Sequence, residues 1–157
     1  ILAAEQAKGL TKKFIHVIPT KNVAQGLSSA LAFNPDATLE ENLDAMLGAK
    51  EQVLSASVTY AVRTTNVDGL DVQEGDIMGL DDHSVLVADK DVTTATVNLL
   101  DKIVHEESSN ITLFYGKDIP EDEANILANE LMEKYPNCDV TVIYGGQPVY
   151  YYIISME

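Results

Sequence analysis

A single cysteine, Cys138, leaves this chain with no disulfide framework and no cysteine-built metal cluster. That usage suits a reducing compartment, and the cytoplasm is the expected location. Bases are scarce too: ten against 25 acids, a formal net charge of −15. Such a surface repels phosphate backbones and anionic lipid, which argues against nucleic acid and membrane as partners. An electropositive patch on another protein fits it better. No apolar run approaches the ~20 residues that span a bilayer, and no signal-peptide pattern is read. The fingerprint glycines of a phosphate loop are missing. So are a G-x-S-x-G elbow and any Ser/His/Asp order. His16, His83 and His105 are far apart, and none has metal-ligand spacing with Cys138. No catalytic residue and no metal site is assigned.

What is present is an alternation of helices and strands. With 157 residues and 46% hydrophobic content there is enough chain for one domain with a proper core, or for two small lobes. The organising stretch is 13–34, KFIHVIPTKNVAQGLSSALAFN. Phe14, Ile15, Val17 and Ile18 predict a strand buried on both faces, with His16 as a core histidine. Pro19 stops it. Asn22 and Gln25 stand at capping-box spacing, and Val23, Leu27, Ala30, Leu31 and Phe33 follow at helical spacing. Before this, 1–8 reads as the tail of a helix closed by Gly9 as a left-handed cap. The uncapped start at Ile1 predicts that the chain is a fragment.

Thr38 and Glu41 form a second capping box, opening a helix to about Leu54. At 57–63, Val58, Tyr60 and Val62 alternate with Thr59, Ala61 and Arg63, a half-buried strand. Residues 64–75 are polar, with Asp68-Gly69 as a turn. Short strands at 76–80 and 84–88 make a hairpin. Asp91 caps a helix to Val104. A strand at 110–115 precedes a helix begun by Pro120 and striped by Ala124, Leu127, Ala128, Leu131, Met132 and Tyr135. Strands at 140–144 and 149–155 flank the loop Gly145-Gly146-Gln147-Pro148. The class is α/β. A lobe boundary near Ser55 divides an expected N-terminal α/β lobe, 1–54, truncated at its start, from a C-terminal α/β lobe, 55–157.

In α/β sheets ligands meet the protein where strands end and helices begin. Thr20, Lys21, Asn22 and Gln25 are candidates on that ground; a well-capped turn is the plainer alternative. Arg63, the only arginine, stands before Thr64 and Thr65 and can fork a carboxylate or phosphate. The alternative is an ion pair with one of the many acids. Gly145, Gly146, Gln147 and Tyr150 complete the candidate set, since tyrosines around a tight loop often line interfaces. Asp68, Asp71, Glu74, Asp76, Asp81 and Asp82 read as a solvated acidic edge or a docking surface for a basic partner.

Three stretches, IPTKNVAQGLSSALAFNP, SVTYAVRTTNVDGLDVQEGDIMGLDD and ITLFYGKDIPEDEANILANELMEKYPNCDVTVIYGGQPVYYYIISME, resemble the C-terminal region of the A-type subunit of bacterial fatty acid kinase. The resemblance covers nearly the whole chain, in order, and its last stretch is the most specific. It implies a dihydroxyacetone-kinase-like ATP and magnesium domain elsewhere in the parent protein, and no cofactor here. It also implies a non-catalytic role in lipid metabolism: docking the acyl-binding carrier subunit so that the fatty acid is phosphorylated. A homodimer through the parent chain is compatible with it. The layout further resembles the two-lobed DegV-like fold of the acyl-binding subunits, mixed sheets flanked by helices, with the first strand missing. That likeness keeps a second reading open, a lipid or small-molecule binding domain. Where that family has an Asp-Ser pair this chain has Pro19-Thr20-Lys21, and no histidine follows Gly145-Gly146.

Overall fold

Phe14, at the head of the run that predicts a buried strand, is 93% exposed. No strand forms over 14–18 in the computed structural model, which describes every residue of 1–157 except Asp68. The reason is the absence of a neighbour. A strand needs a ladder partner for its amides and carbonyls, and the described residues before Leu54 form only helices. His16 is likewise exposed rather than a core residue. The chain divides into two compact units, Ile1–Leu54 and Ser55–Glu157.

Unit 1 is a set of helices rather than the α/β lobe expected over 1–54: α1 (Leu2–Ala7), continued as a 3₁₀ turn over Lys8–Leu10, then α2 (Val23–Leu31) and α3 (Leu39–Gln52). Gly9 lies inside the 3₁₀ turn and is not left-handed. The caps form as the sequence dictates. Asn22 Oδ1 accepts from Gln25 N at 2.9 Å, and Gln25 Oε1 accepts from Lys21 N at 2.9 Å. Thr38 and Glu41 make the full reciprocal box. α2 and α3 are joined through polar groups. Ser29 Oγ donates to Met46 O at 2.9 Å, and the buried Asn42 ties Asn34, Ala37 and Thr38 together. Only Ala24 and Val53 are buried apolar residues here, while Leu27, Leu31 and Phe33 stay exposed.

Unit 2 is built on a six-stranded mixed sheet in the order β5-β4-β1-β8-β6-β7. Its strands are β1 (Leu54–Tyr60, whose first residue belongs to unit 1), β4 (Ile77–Asp81), β5 (Val85–Asp89), β6 (Asn110–Tyr115), β7 (Asp139–Tyr144) and β8 (Tyr150–Met156). β1/β4, β4/β5 and β6/β8 are antiparallel; β6/β7 is parallel, joined through α5 (Glu121–Lys134). The second helix of the unit, α4 (Val92–Ile103), is capped by Asp91 as expected, Oδ1 accepting from Thr94 N at 2.8 Å. One cluster forms the core: Val58, Ile77 and Val87, the β6 and β8 residues Ile111, Leu113, Ile154 and Met156, and Leu99, Leu100, Leu127 and Leu131 from the helices. Burying each leucine stabilises by about 1.5–3 kcal/mol relative to leaving it exposed.

The polar stretch 64–75 holds two short strands that its polarity does not predict. β2 (Thr65–Val67) and β3 (Leu70–Val72) pair antiparallel, and Val72 is fully buried. The turn expected at Asp68 lies outside the described residues. The strand expected at 57–63 begins and ends three residues earlier, so Val62 and Arg63 fall in the loop after it. Pro120 is the residue before α5 rather than its first. Charge is divided unevenly: unit 2 holds 19 acids against five bases, unit 1 six against five.

Candidate functional site

Three loops leave one end of the unit 2 sheet. The parallel pair β6/β7 ends there at Tyr115 and Tyr144. The antiparallel register of β6 with β8 sets Tyr115 opposite Tyr152, so β8 begins there. β1 lies beside β8 and ends there as well: Thr59 Oγ1 donates to Val149 O at 2.9 Å, and the Tyr60 and Tyr151 rings stand 6.3 Å apart. Carboxyl ends of parallel strands are where α/β folds place their sites.

The last of these loops is locked by backbone. Tyr115 O accepts from Gly145 N at 3.0 Å and from Gly146 N at 3.3 Å. Gln147 Nε2 reaches back to Phe114 O at 2.6 Å, while Gln147 O accepts from Lys117 N at 3.1 Å. Gly146 has φ +65°, a conformation glycine takes without strain. Gly116 is a case of close approach: a Cβ there would lie 2.2 Å from Tyr150 O.

Beside the loop is a solvent-open groove of about 610 Å³, lined by Tyr115, Ile119, Glu121, Asn125, Val142 and Tyr144. Two periodicities build it. Glu121 and Asn125 are i, i+4 on α5 and share a face. Val142 and Tyr144 are i, i+2 on β7 and share a face. The Tyr115 and Tyr144 rings stand 5.3 Å apart at 55°. Burial pushes the Tyr115 phenol above its ordinary range, and the nearby Glu121 charge and Tyr144 add to the shift.

The candidates from sequence fall as follows. Thr20, Lys21, Asn22 and Gln25 belong to unit 1, where Asn22 and Gln25 spend their side chains on the cap. Arg63, Thr64 and Thr65 follow β1 at the same sheet end as Gly145, Gly146, Gln147 and Tyr150. Thr64 Oγ1 accepts from Glu74 N at 3.1 Å, a loop-closing bond. Arg63 is exposed and meets no carboxylate among the described residues. Of the acidic stretch, Asp76 is buried and paired with Lys90, whose ammonium, followed by the Gln73 amide, holds its carboxyl below the ordinary range. Glu121 and Asn125 were not singled out by the sequence, though their spacing just after a strand and turn is the signal that finds them. Among the described residues no group of His, Cys, Asp or Glu is placed to hold a metal ion.

A family model for the C-terminal region of FakA-like proteins, the fatty acid kinase subunits of A type, matches residues 1–157. The chain belongs to that family. The YloV protein of Bacillus subtilis is 40% identical over all 157 residues, which make up 28% of its own length. A Staphylococcus aureus strain USA300 protein is 36% identical over the same span, 29% of its length. The chain therefore spans under a third of these relatives. In structure it is similar to the Streptococcus pneumoniae fatty acid kinase B3 protein loaded with linoleic acid, with a TM-score of 0.51 and 16% identity. That match covers 77% of this chain and 50% of the other. At such identity it shows the fold: a DegV-like α/β arrangement with a mixed sheet flanked by helices. No helix among the described residues is long and apolar enough to cross a membrane.

Proposed function

We propose that this chain is a non-catalytic docking module that holds the acyl-binding carrier subunit for a kinase domain elsewhere in a longer cytoplasmic protein. The observation that carries the reading is the family match across the whole chain. The chemistry of the chain agrees with it. ATP and magnesium are assigned to the separate domain, and the sheet end of unit 2 offers tyrosines and acids as a contact surface. The docking face is assigned to Arg63, Thr64, Thr65, Gly145, Gly146, Gln147 and Tyr150 of unit 2; Thr20 and Lys21 are a separate candidate contact on unit 1. Titration against the acyl-binding subunit, with and without fatty acid and at two salt concentrations, tests it. Saturable binding that weakens with salt is expected; no binding by the folded chain rejects the reading.

A second reading is direct lipid binding. It is favoured by the likeness to a protein that carries linoleic acid. Equilibrium binding of a labelled fatty acid to the purified chain decides it, and tight stoichiometric uptake is the result that would promote it.

A further inference from the structure

The groove at the carboxyl end of β6 and β7 has an unused polar wall. Glu121 and Asn125 are both exposed, and among the described residues neither side chain has a hydrogen-bonding or ionic partner. Facing them are two phenol rings in contact, with Ile119 and Val142 as the apolar part of the lining. No lysine or arginine lines the groove, although Lys117 is on the adjoining loop. Asp122 and Glu123 follow Glu121 in the first turn of α5.

We propose that this groove receives an arginine side chain, with its flanking residues, from the docking protein partner. The inference deepens the docking reading and rests on it. The chemistry narrows the occupant in steps. A carboxylate and a carboxamide oxygen on one helix face can accept from a guanidinium fork, whose donors are fixed in a plane. The exposed Tyr144 ring offers its negative face to the same cation. Ile119 and Val142 can cover the aliphatic stem. A lysine ammonium uses the carboxylate but is more strongly hydrated and cannot stack. A fatty acid carboxylate is repelled by three consecutive acids. A divalent metal finds a single carboxylate in the lining, too few oxygens to replace its hydration shell. The excess of 14 acids over bases in unit 2 supplies a complementary field that steers a basic partner toward that unit.

Two measurements separate this proposal from the reading beneath it. In the first, wild type, Glu121→Gln, Tyr144→Ala and a remote control, Glu130→Gln, are titrated against the acyl-binding subunit. Glu121→Gln is an exposed substitution whose thermal unfolding should match wild type; Tyr144→Ala also removes the ring contact with Tyr115, so its binding is read at a temperature where its own melting curve shows it folded. Each is expected to weaken binding about tenfold, with a shallower salt dependence for Glu121→Gln and no change for the control. Wild-type binding that all variants reproduce overturns the groove proposal and leaves docking standing. In the second, N-acetyl-arginine amide and its citrulline counterpart are added at millimolar concentration while amide resonances are followed. Shifts confined to Gly116, Ile119 and the Asn125 side-chain amide, with arginine only and lost in Glu121→Gln, support the groove even if the carrier subunit does not bind. Equal effects of both compounds, or none at these residues, overturn it.

Discussion

Gly116 shows how little room the site's backbone leaves. Its amide donates to Tyr151 O at 2.8 Å, and an added Cβ would meet Tyr150 O at 2.2 Å and Gln147 O at 2.8 Å. Both obstacles are main chain, so the last loop must move. Gly116→Ala is expected to cost about 3 kcal/mol, the upper end of overpacking, and to loosen the 145–149 loop. Denaturant unfolding followed by tyrosine fluorescence measures the first effect, because all seven tyrosines lie in unit 2 and tryptophan is absent. A loss under 1 kcal/mol would show that the loop is free to shift. Tyr152 offers a second test. Burial, with help from the Glu123 charge, raises its phenol from 10 to about 12. The folded state therefore holds the proton more tightly than the unfolded chain. Its contribution is complete below pH 10 and is lost as pH rises from 10 toward 12. Tyr152→Phe should flatten the fall in stability over that window; an unchanged slope would assign the fall to other groups. At this scale the sequence was readable where a residue's role is local. Asn22, Thr38 and Asp91 cap helices because an acceptor two or three residues before free amides has one obvious use. Gly116 was not readable, because what it touches arrives from Gln147 and Tyr150, more than 30 positions later.

Elements follow the same division between local and distant causes. The strand 110–115 and the α5 stripe were visible as periodicity, and both form. The strand over 14–18 was equally visible and does not, since hydrophobic spacing specifies a face but not a partner. Around α4 the partner is identifiable. Leu99 is fully buried, and a Cβ placed at Gly79 on β4 would lie 3.0–3.3 Å from its Cβ and methyls. The missing side chain at 79 is thus the socket that lets α4 sit on the sheet. Leu99→Ala should cost about 3 kcal/mol through the lost burial and the cavity, and Gly79→Ala about 1–2 kcal/mol through crowding. The double variant is expected to fall short of the sum by more than 0.5 kcal/mol, because the methyl added on β4 occupies space that the leucine vacates. Additivity in a double-mutant cycle would mean that Leu99 and the side chain at position 79 do not compete for one volume.

For the whole molecule, charge is the property that composition gave without any structure, but its placement needed the fold. Nearly all of the −15 sits in unit 2. Self-repulsion of that size opposes compactness and is screened by salt, whose Debye length shrinks to about 3 Å at 1 M. Lowering the pH toward the isoelectric point of 4.3 removes it by a different route. Below that, a second effect takes over. Asp76, through the Lys90 ammonium and the Gln73 amide, and Asp101, through Lys134 and the Tyr135 hydroxyl, both have carboxyls held below their ordinary value of 3.8. Depressed carboxyls stabilise the fold above the unfolded-state value, and that contribution disappears as pH falls through the folded-state one. Melting of unit 2, read by its tyrosines, should therefore rise from pH 7 toward pH 5 and fall steeply below about pH 3.8. Added sodium chloride should raise the midpoint at pH 7 and have much less effect near pH 4.3. Unit 1, with six acids against five bases, should hardly respond to either. A midpoint at pH 7 that ignores salt would mean that the acids of unit 2 are spread widely enough not to repel. It would also remove the long-range field invoked to steer a basic partner toward that unit.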